Sequence, residues 1–132
     1  MTRLVLLGAG GHGKVVAETA LAAGTFTDIA FLDRLWPGLQ TVGTWPVIGD
    51  SHTGLTDPIF CAVGRNATRA RLFEAVGLDT SPVLIHPAAV ISPTARIGAG
   101  SLCVAGSIVN ADAHLGRGVI LNPGASVDPD CE

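Results

Sequence analysis

Hydrophobic positions along this chain follow two different rhythms, and the change between them falls near residue 80. In the first part, short apolar runs alternate with segments of helix-forming composition. Leu4–Leu7 is a continuous apolar run closed by glycine, the pattern of a strand buried on both faces. Lys14–Ala23 predicts a helix that stops at Gly24, a suitable C-cap. Ile29–Leu32 predicts a second strand ending at Asp33. Residues 34–58 are rich in Gly, Pro, Thr and Asp and predict only a short strand near Val47 and Ile48. Trp36 and Trp45 stand in that stretch as isolated apolar anchors. Ile59–Val63 predicts the next strand, and Ala67–Val76 the next helix, stopped by Gly77. This order predicts a small parallel sheet with right-handed crossovers.

The second part keeps a beat of six. Ile91, Ile97, Cys103, Val109, Leu115, Leu121 and Val127 recur at that spacing, and two residues before each stands Ala89, Ala95, Ser101, Ser107, Ala113, Val119 or Ala125. Neither a helix, with period 3.6, nor a strand, with period 2, produces a beat of six. With 48% of the chain apolar, seven hits in one phase arise by chance at roughly 0.6%, or about 4% over six phases. A left-handed parallel β-helix does produce it: each hexapeptide is one flat side of a triangular coil, with the large residue inside and the small one at the corner. Three hexapeptides make a coil, so seven supply just over two coils. Ser81-Pro82 and His86-Pro87 mark the joint, which gives an α/β Rossmann-like domain over 1–80 and a short left-handed β-helix over 81–132. Ser92-Pro93-Thr94 turns a corner of the first coil.

Composition narrows the function. A net charge of −3 carries no basic footprint, so neither nucleic acid nor an anionic membrane is an expected partner. The apolar runs are far too short to span a bilayer. Leu4–Leu7 lacks the length and cleavage region of a signal peptide, so a cytoplasmic protein is expected. Cys61, Cys103 and Cys131 form no CxxC pair, which argues against a disulfide framework or a zinc site; no metal is expected. Cys103 lies on the apolar beat and Cys61 in a predicted strand, so both are expected to pack as small hydrophobes.

The candidate chemistry sits at the first strand-to-helix turn. Gly8-Ala9-Gly10-Gly11-His12-Gly13 satisfies GxGxxG. Glycines let a backbone approach a ligand closely, and helix N-terminal amides attract phosphate. The same glycines would also serve a tight turn and close helix packing alone. Asp33, 20 residues beyond Gly13, suits the ribose contact of a dinucleotide site. The α/β part is only half a full doubly wound domain, so a mononucleotide or nucleotide sugar fits better. On that reading the glycine loop holds phosphate, Asp33 or Arg34 meets ribose or base, and Gly64-Arg65-Asn66 closes the pocket. Arg69, one turn on, is placed either to meet phosphate or to face solvent.

Five segments in order resemble one family: GAGGHGKVV, FLD, AVGRNATR, LIHPAAVISPTARIGAG and ILNPGASVDPDC. They are similar to the sugar O-acyltransferase family of sialic-acid O-acetyltransferases and bacillosamine-pathway UDP-sugar N-acetyltransferases. The resemblance implies a Rossmann-like domain that binds a UDP- or CMP-linked sugar. It also implies a β-helix that forms a homotrimer and binds acetyl-CoA, the co-substrate, between subunits. Acetyl transfer to a sugar amine or hydroxyl would use a histidine base held by an acidic neighbour. Carried over, Gly10, Gly11 and His12 match the sugar-nucleotide loop; Asp33 and Arg34 match the nucleoside contacts; and Gly64, Asn66 and Arg69 match the second nucleotide segment. Asn122 matches an asparagine beside the transferred group, and Asp130 the acidic partner of the base.

The base position itself holds Pro129, which has no titratable group. The repeat as read ends at Glu132, short of the further coils the resemblance implies. His52, His86 and His114 offer no obvious substitute, each reading as a structural residue. The expected function is therefore acetyl-CoA-dependent acetylation of a nucleotide-linked amino sugar in surface glycan biosynthesis, with Pro129 opposing catalysis by this chain. The first alternative is a non-catalytic nucleotide-sugar-binding and trimerisation module. The second is a small NAD-binding oxidoreductase, disfavoured by the absence of a substrate domain.

Overall fold

Alternation along the first two strands sorts the α/β core into layers. The computed structural model describes residues 2–132. Its central sheet runs β3-β4-β2-β1-β5, from β1 (Thr2–Leu7), β2 (Phe26–Leu32), β3 (Thr41–Val42), β4 (Trp45–Gly49) and β5 (Ile59–Cys61). The β1, β2, β4 and β5 pairings are parallel, and only the edge strand β3 runs antiparallel. Leu4, Leu6, Ile29 and Phe31 face Val16, Ala17 and Ala20 of α1 (Gly11–Ala23), while Val5, Leu7 and Leu32 face Leu72 and Val76 of α2 (Asn66–Val76). Period-2 alternation thus feeds two cores, one on each side of the sheet. The segment expected to be mostly irregular contains both β3 and β4, with Trp45 half-buried and tilted over Phe31 at 6.2 Å. Both helices end as their sequences predict, with Gly24 and Gly77 in the left-handed region.

After a 3₁₀ turn at Leu78–Thr80 the chain enters a parallel coil. Eight two-residue strands follow: β6 (Leu84–Ile85), β7 (Val90–Ile91), β8 (Arg96–Ile97), β9 (Leu102–Cys103), β10 (Ile108–Val109), β11 (His114–Leu115), β12 (Ile120–Leu121) and β13 (Ser126–Val127). They form three short sheets, β6-β9-β12, β7-β10-β13 and β8-β11, with every partner 18 residues away. Eighteen residues is therefore one turn of the coil, and the eight sides make two turns and two further sides. The coil thus begins one hexapeptide earlier than the apolar beat suggests, because Ile85 already packs inside. All seven residues of the beat line that interior with five of the seven small residues. The other two, Ser101 and Ser107, are buried with their hydroxyls satisfied: Ser101 Oγ donates to the Gly116 carbonyl and Ser107 Oγ to that of Val104.

A second beat of six escaped the hydrophobic pattern. Gly100, Gly106, Asp112, Gly118, Gly124 and Asp130 all adopt positive φ, one in each successive corner. The corner needs a left-handed residue, which glycine supplies freely and aspartate tolerates. At Gly98 the reason for glycine is different: a Cβ there would lie 2.6 Å from the backbone of Gly116 in the next turn.

The coil does not stand apart from the sheet. Leu84, Leu102 and Ile120 point outward from the face β6-β9-β12 and join the core formed by α1, Leu4, Leu6 and Phe31. A single apolar cluster therefore runs through both parts of the chain. No helix among the described residues is long and apolar enough to cross a membrane.

This packing separates neighbouring residues sharply. Val109 is 1% exposed inside the coil, whereas Ile108 beside it is 39% exposed. Val109→Asp should cost at least about 3 kcal/mol, since an unpaired charge would be buried. Ile108→Asp should cost under about 0.5 kcal/mol, as a surface substitution. Thermal melts of the two variants check this; equal melting behaviour would contradict the coil.

Candidate functional site

The carboxyl ends of β1, β2, β4 and β5 converge on one edge of the sheet, where open α/β sheets bind ligands. The glycines of the first turn divide into two kinds there. A Cβ on Gly8 would lie 2.7 Å from Val63, and one on Gly13 would lie 2.7 Å from the Phe31 ring and 2.8 Å from the Gly8 carbonyl. Those two serve packing. Gly10 and Gly11 face open space, with nothing within 4 Å of an added Cβ. Packing does not demand glycine at either, and Gly10 caps α1 without a side-chain hydrogen bond. The turn thus presents bare backbone at a helix N-terminus, where a phosphate binds well.

Asp33 holds this loop in place. Its Oδ2 accepts a hydrogen bond from the Ala9 amide at 2.9 Å, and its Oδ1 accepts one from the Leu35 amide at 2.9 Å. Both oxygens therefore have backbone donors, which ties the end of β2 to the glycine turn. Beside it lies a cavity of about 590 Å³ lined by Leu7, Gly8, Asp33, Arg34, Asp50, Val63, Arg65, Thr68 and Arg71, among others. Among the described residues the ion pairs are Arg3–Asp57 and Arg117–Asp79, so Arg34, Arg65 and Arg71 are left to face the cavity without a carboxylate partner. Three unpaired guanidiniums around one cavity suit an anion of high charge density, because the arginine fork matches phosphate oxygens. No motif in the sequence marks Asp50 or Arg71. Asp50 follows β4 at the ligand edge, and Arg71 lies three residues after Thr68 on one helix face.

Several expected site residues sit elsewhere. His12 packs against Gly64, with Gly64's would-be Cβ 3.8 Å from its Cγ. Its Nε2 is buried without a hydrogen-bond partner among the described residues. Burial, and secondarily the positive charge of Arg69, lower the His12 pKa from its ordinary value, which favours the neutral ring. Arg69 is turned toward backbone carbonyls and Asn66 rather than into the cavity. Asn122 and Asp130 occupy exposed, successive corners of the coil, separated by β13. Asp130 donates its amide to the Ala111 carbonyl in the corner below, and Pro129 beside it is exposed. Neither Asn122 nor Asp130 lines the cavity at the sheet edge; of the expected nucleotide residues Asp33 and Arg34 line it, whereas Asn66 and Arg69 line a separate cavity against Arg117 and Gly118 of the coil.

The cysteines divide by burial. Cys61 and Cys103 are buried, and desolvation raises both thiol pKa values, that of Cys103 to about 11. Neither has the thiolate character a nucleophile needs at neutral pH. Among the described residues no three His, Cys, Asp or Glu side chains converge to hold a metal.

An α/β head seated on a parallel coil, with an anion-ready pocket at the sheet edge, is the architecture of a sugar acyltransferase. Residues 3–76 match the PglD N-terminal domain, and the chain belongs to that family. It is 35% identical over 113 residues to UDP-N-acetylbacillosamine N-acetyltransferase of Bacillus subtilis (strain 168), covering 80% of this chain and 52% of that protein. The acetyltransferase domain of PglB from Neisseria gonorrhoeae FA1090, solved with acetyl coenzyme A, is similar in structure. Its TM-score is 0.89 at 45% identity, over 98% of this chain and 65% of that one. Perosamine N-acetyltransferase from Caulobacter crescentus, solved with CoA and GDP-perosamine as a His-to-Asn variant, gives a TM-score of 0.86 at 35% identity. That match covers 99% of this chain and 65% of that one. The chain thus spans about half the length of the curated relative and about two thirds of the crystallised domains.

Two measurements test the site. Gly11→Ala should leave stability within about 0.5 kcal/mol, whereas Gly13→Ala should cost about 1–3 kcal/mol through overpacking; denaturant titration separates them, and equal costs would contradict the division of the glycines. His12 supplies the pH test. Its folded pKa lies below the unfolded value of 6.5, so between the two values the unfolded state binds more protons. Stability should fall as pH drops through that window, and His12→Gln should fall less steeply. Parallel pH profiles for the two proteins would exclude a buried neutral His12.

Proposed function

We propose that the chain binds a nucleotide-linked amino sugar in the sheet-edge pocket and belongs to an acetyl-CoA-dependent N-acetyltransferase. The observation that carries this reading is the cavity lined by Arg34, Arg65 and Arg71 and by Gly8, the first glycine of the turn that continues into the open Gly10 and Gly11. In this arrangement the turn amides, Arg65 and Arg71 hold the diphosphate, and Arg34 and Asp50 meet the nucleoside. Asp33 acts chiefly by fixing the loop. The relatives support the class of ligand, since they are named for acetylation of UDP- and GDP-linked amino sugars.

Residues 1–80 serve as the nucleotide-sugar unit of Rossmann-like form, and residues 81–132 as a left-handed β-helix unit. On this reading the coil assembles with two further copies, and acetyl-CoA lies against the coils between neighbouring subunits. The resemblance supports that arrangement and a role in surface glycan synthesis in the cytoplasm. Acetyl transfer needs a group that removes a proton from the sugar amine as its nitrogen attacks the thioester carbonyl. Asn122 and Asp130 stand near that step by resemblance, but Pro129 can accept no proton. This favours a second reading, in which these residues bind the nucleotide sugar without catalysing its acetylation.

Calorimetric titration with UDP- and GDP-linked amino sugars, acetyl-CoA and NAD tests the reading. Binding of a nucleotide sugar is expected, weakened about fivefold or more by Arg65→Ala or Arg71→Ala. Tight NAD binding without nucleotide-sugar binding would overturn it. Acetyl transfer by residues 1–132 would show that Pro129 does not disable the chemistry.

A further inference from the structure

Arg69 lies between the pocket and the coil, and its hydrogen bonds reach both. Its Nη1 donates to the Val63 carbonyl at 3.4 Å and the Gly64 carbonyl at 3.2 Å, the segment that leaves β5. Its Nη2 donates to Asn66 Oδ1 at 2.8 Å, at the start of α2. Its Nε donates to the Gly118 carbonyl at 3.2 Å, in a corner of the coil 49 residues away. One planar guanidinium thus has four acceptors on two structural units, a use of its fixed donor fork that lysine cannot copy.

Both ends of this bridge are consequential. The β5 segment supplies Val63 and Arg65 to the pocket wall, and Gly64 packs on His12 at the glycine turn. At the other end Gly118 has φ +68°, and a Cβ there would lie 3.0 Å from the ring of Phe73 on α2. The corner is therefore pressed against the helix that carries Arg69, Thr68 and Arg71. A shift of the coil corner would move the Arg69 fork, and with it the carbonyls that set the height of Arg65 and Gly64.

We infer that Arg69 is a positioning residue that fixes the pocket wall relative to the coil, so that phosphate affinity depends on coil packing. This rests on the nucleotide-sugar reading of the pocket. It assigns Arg69 a task distinct from touching the ligand. It also differs from the neighbouring Arg117–Asp79 pair, an exposed contact at 2.6 Å that joins the same coil corner to the segment after α2 but does not touch the β5 segment.

The test uses the whole chain with Arg69→Gln, Arg69→Lys and Asp79→Ala. Amide hydrogen exchange in the ligand-free protein is read at residues 63–65 and 118–119, with UDP and GDP as probes of affinity and NMR titration of His12 as a third readout. Arg69→Gln should speed exchange at both segments together by about tenfold and weaken the bound diphosphate by a similar factor. It should also raise the His12 pKa, because a positive charge beside the ring is lost. Arg69→Lys should weaken the diphosphate as well, while leaving His12 close to wild type. Asp79→Ala should change neither the 63–65 segment nor the affinity. Faster exchange at 118–119 alone, with affinity unchanged, would overturn the inference and leave Arg69 a simple staple. If the wild type binds neither UDP nor GDP, the nucleotide reading fails, whereas coordinated exchange at both segments would still support the bridge. Should Arg69→Gln fail to fold, Arg69→Lys decides by the same comparison of the two segments.

Discussion

The 18-residue register of the coil is the constraint on which the rest of the structure depends. Each backbone amide of a strand pairs with the turn above or below, so residues one coil apart must share a face. That register stacks Cys103 on Ile85 inside and Leu102 on Leu84 outside. The outside column, completed by Ile120, is the surface on which α1 and the sheet rest. Burying it gives the short coil a covered face and gives the sheet a second layer on one side. Slipping the register by a single residue would exchange the inside and outside columns. The pocket's glycine turn begins the helix that lies on this column, so its position follows from the coil.

Charge within the pocket follows the same economy of placement. The sheet brings Asp33 and Asp50 to one edge with Arg34, Arg65 and Arg71. Asp33 is committed to two backbone amides, and the arginines are left for an incoming anion. His12 and Arg69 stand behind this ring. Arg69 is satisfied by carbonyls and Asn66, whereas the His12 Nε2 is buried without a partner among the described residues. The cavity thus presents three guanidiniums alongside Asp50, with Asp33 committed to the backbone.

Much of this architecture was legible in the chain, because period and position carried it. The six-residue beat identified the inside of the coil, and the strand-glycine-helix turn marked the carboxyl edge of the parallel sheet. What stayed hidden depended on contacts distant in sequence. Ile85 reads as part of the joint between Ser81-Pro82 and His86-Pro87 until its partner Cys103 is known. Asp112 reads as an ordinary polar residue and Asp130, by resemblance, as the partner of a base, yet both take the left-handed corner that glycine fills elsewhere. Arg69 reads as a phosphate ligand or a solvated helix residue, and the Gly118 carbonyl that engages it is 49 residues away. The glycine motif also concealed two tasks, since Gly8 and Gly13 are set by packing while Gly10 and Gly11 are not.

The central claim is that the sheet-edge pocket, rather than the coil, receives the nucleotide sugar. Amide chemical-shift mapping during titration with a UDP- or GDP-linked amino sugar tests it most directly. The account predicts that the largest changes fall on Gly10, Gly11 and the residues around Arg34, Arg65 and Arg71, with smaller changes relayed to Gly118. Changes confined to the coil corners at Asn122 and Asp130, with the glycine turn unmoved, would contradict it.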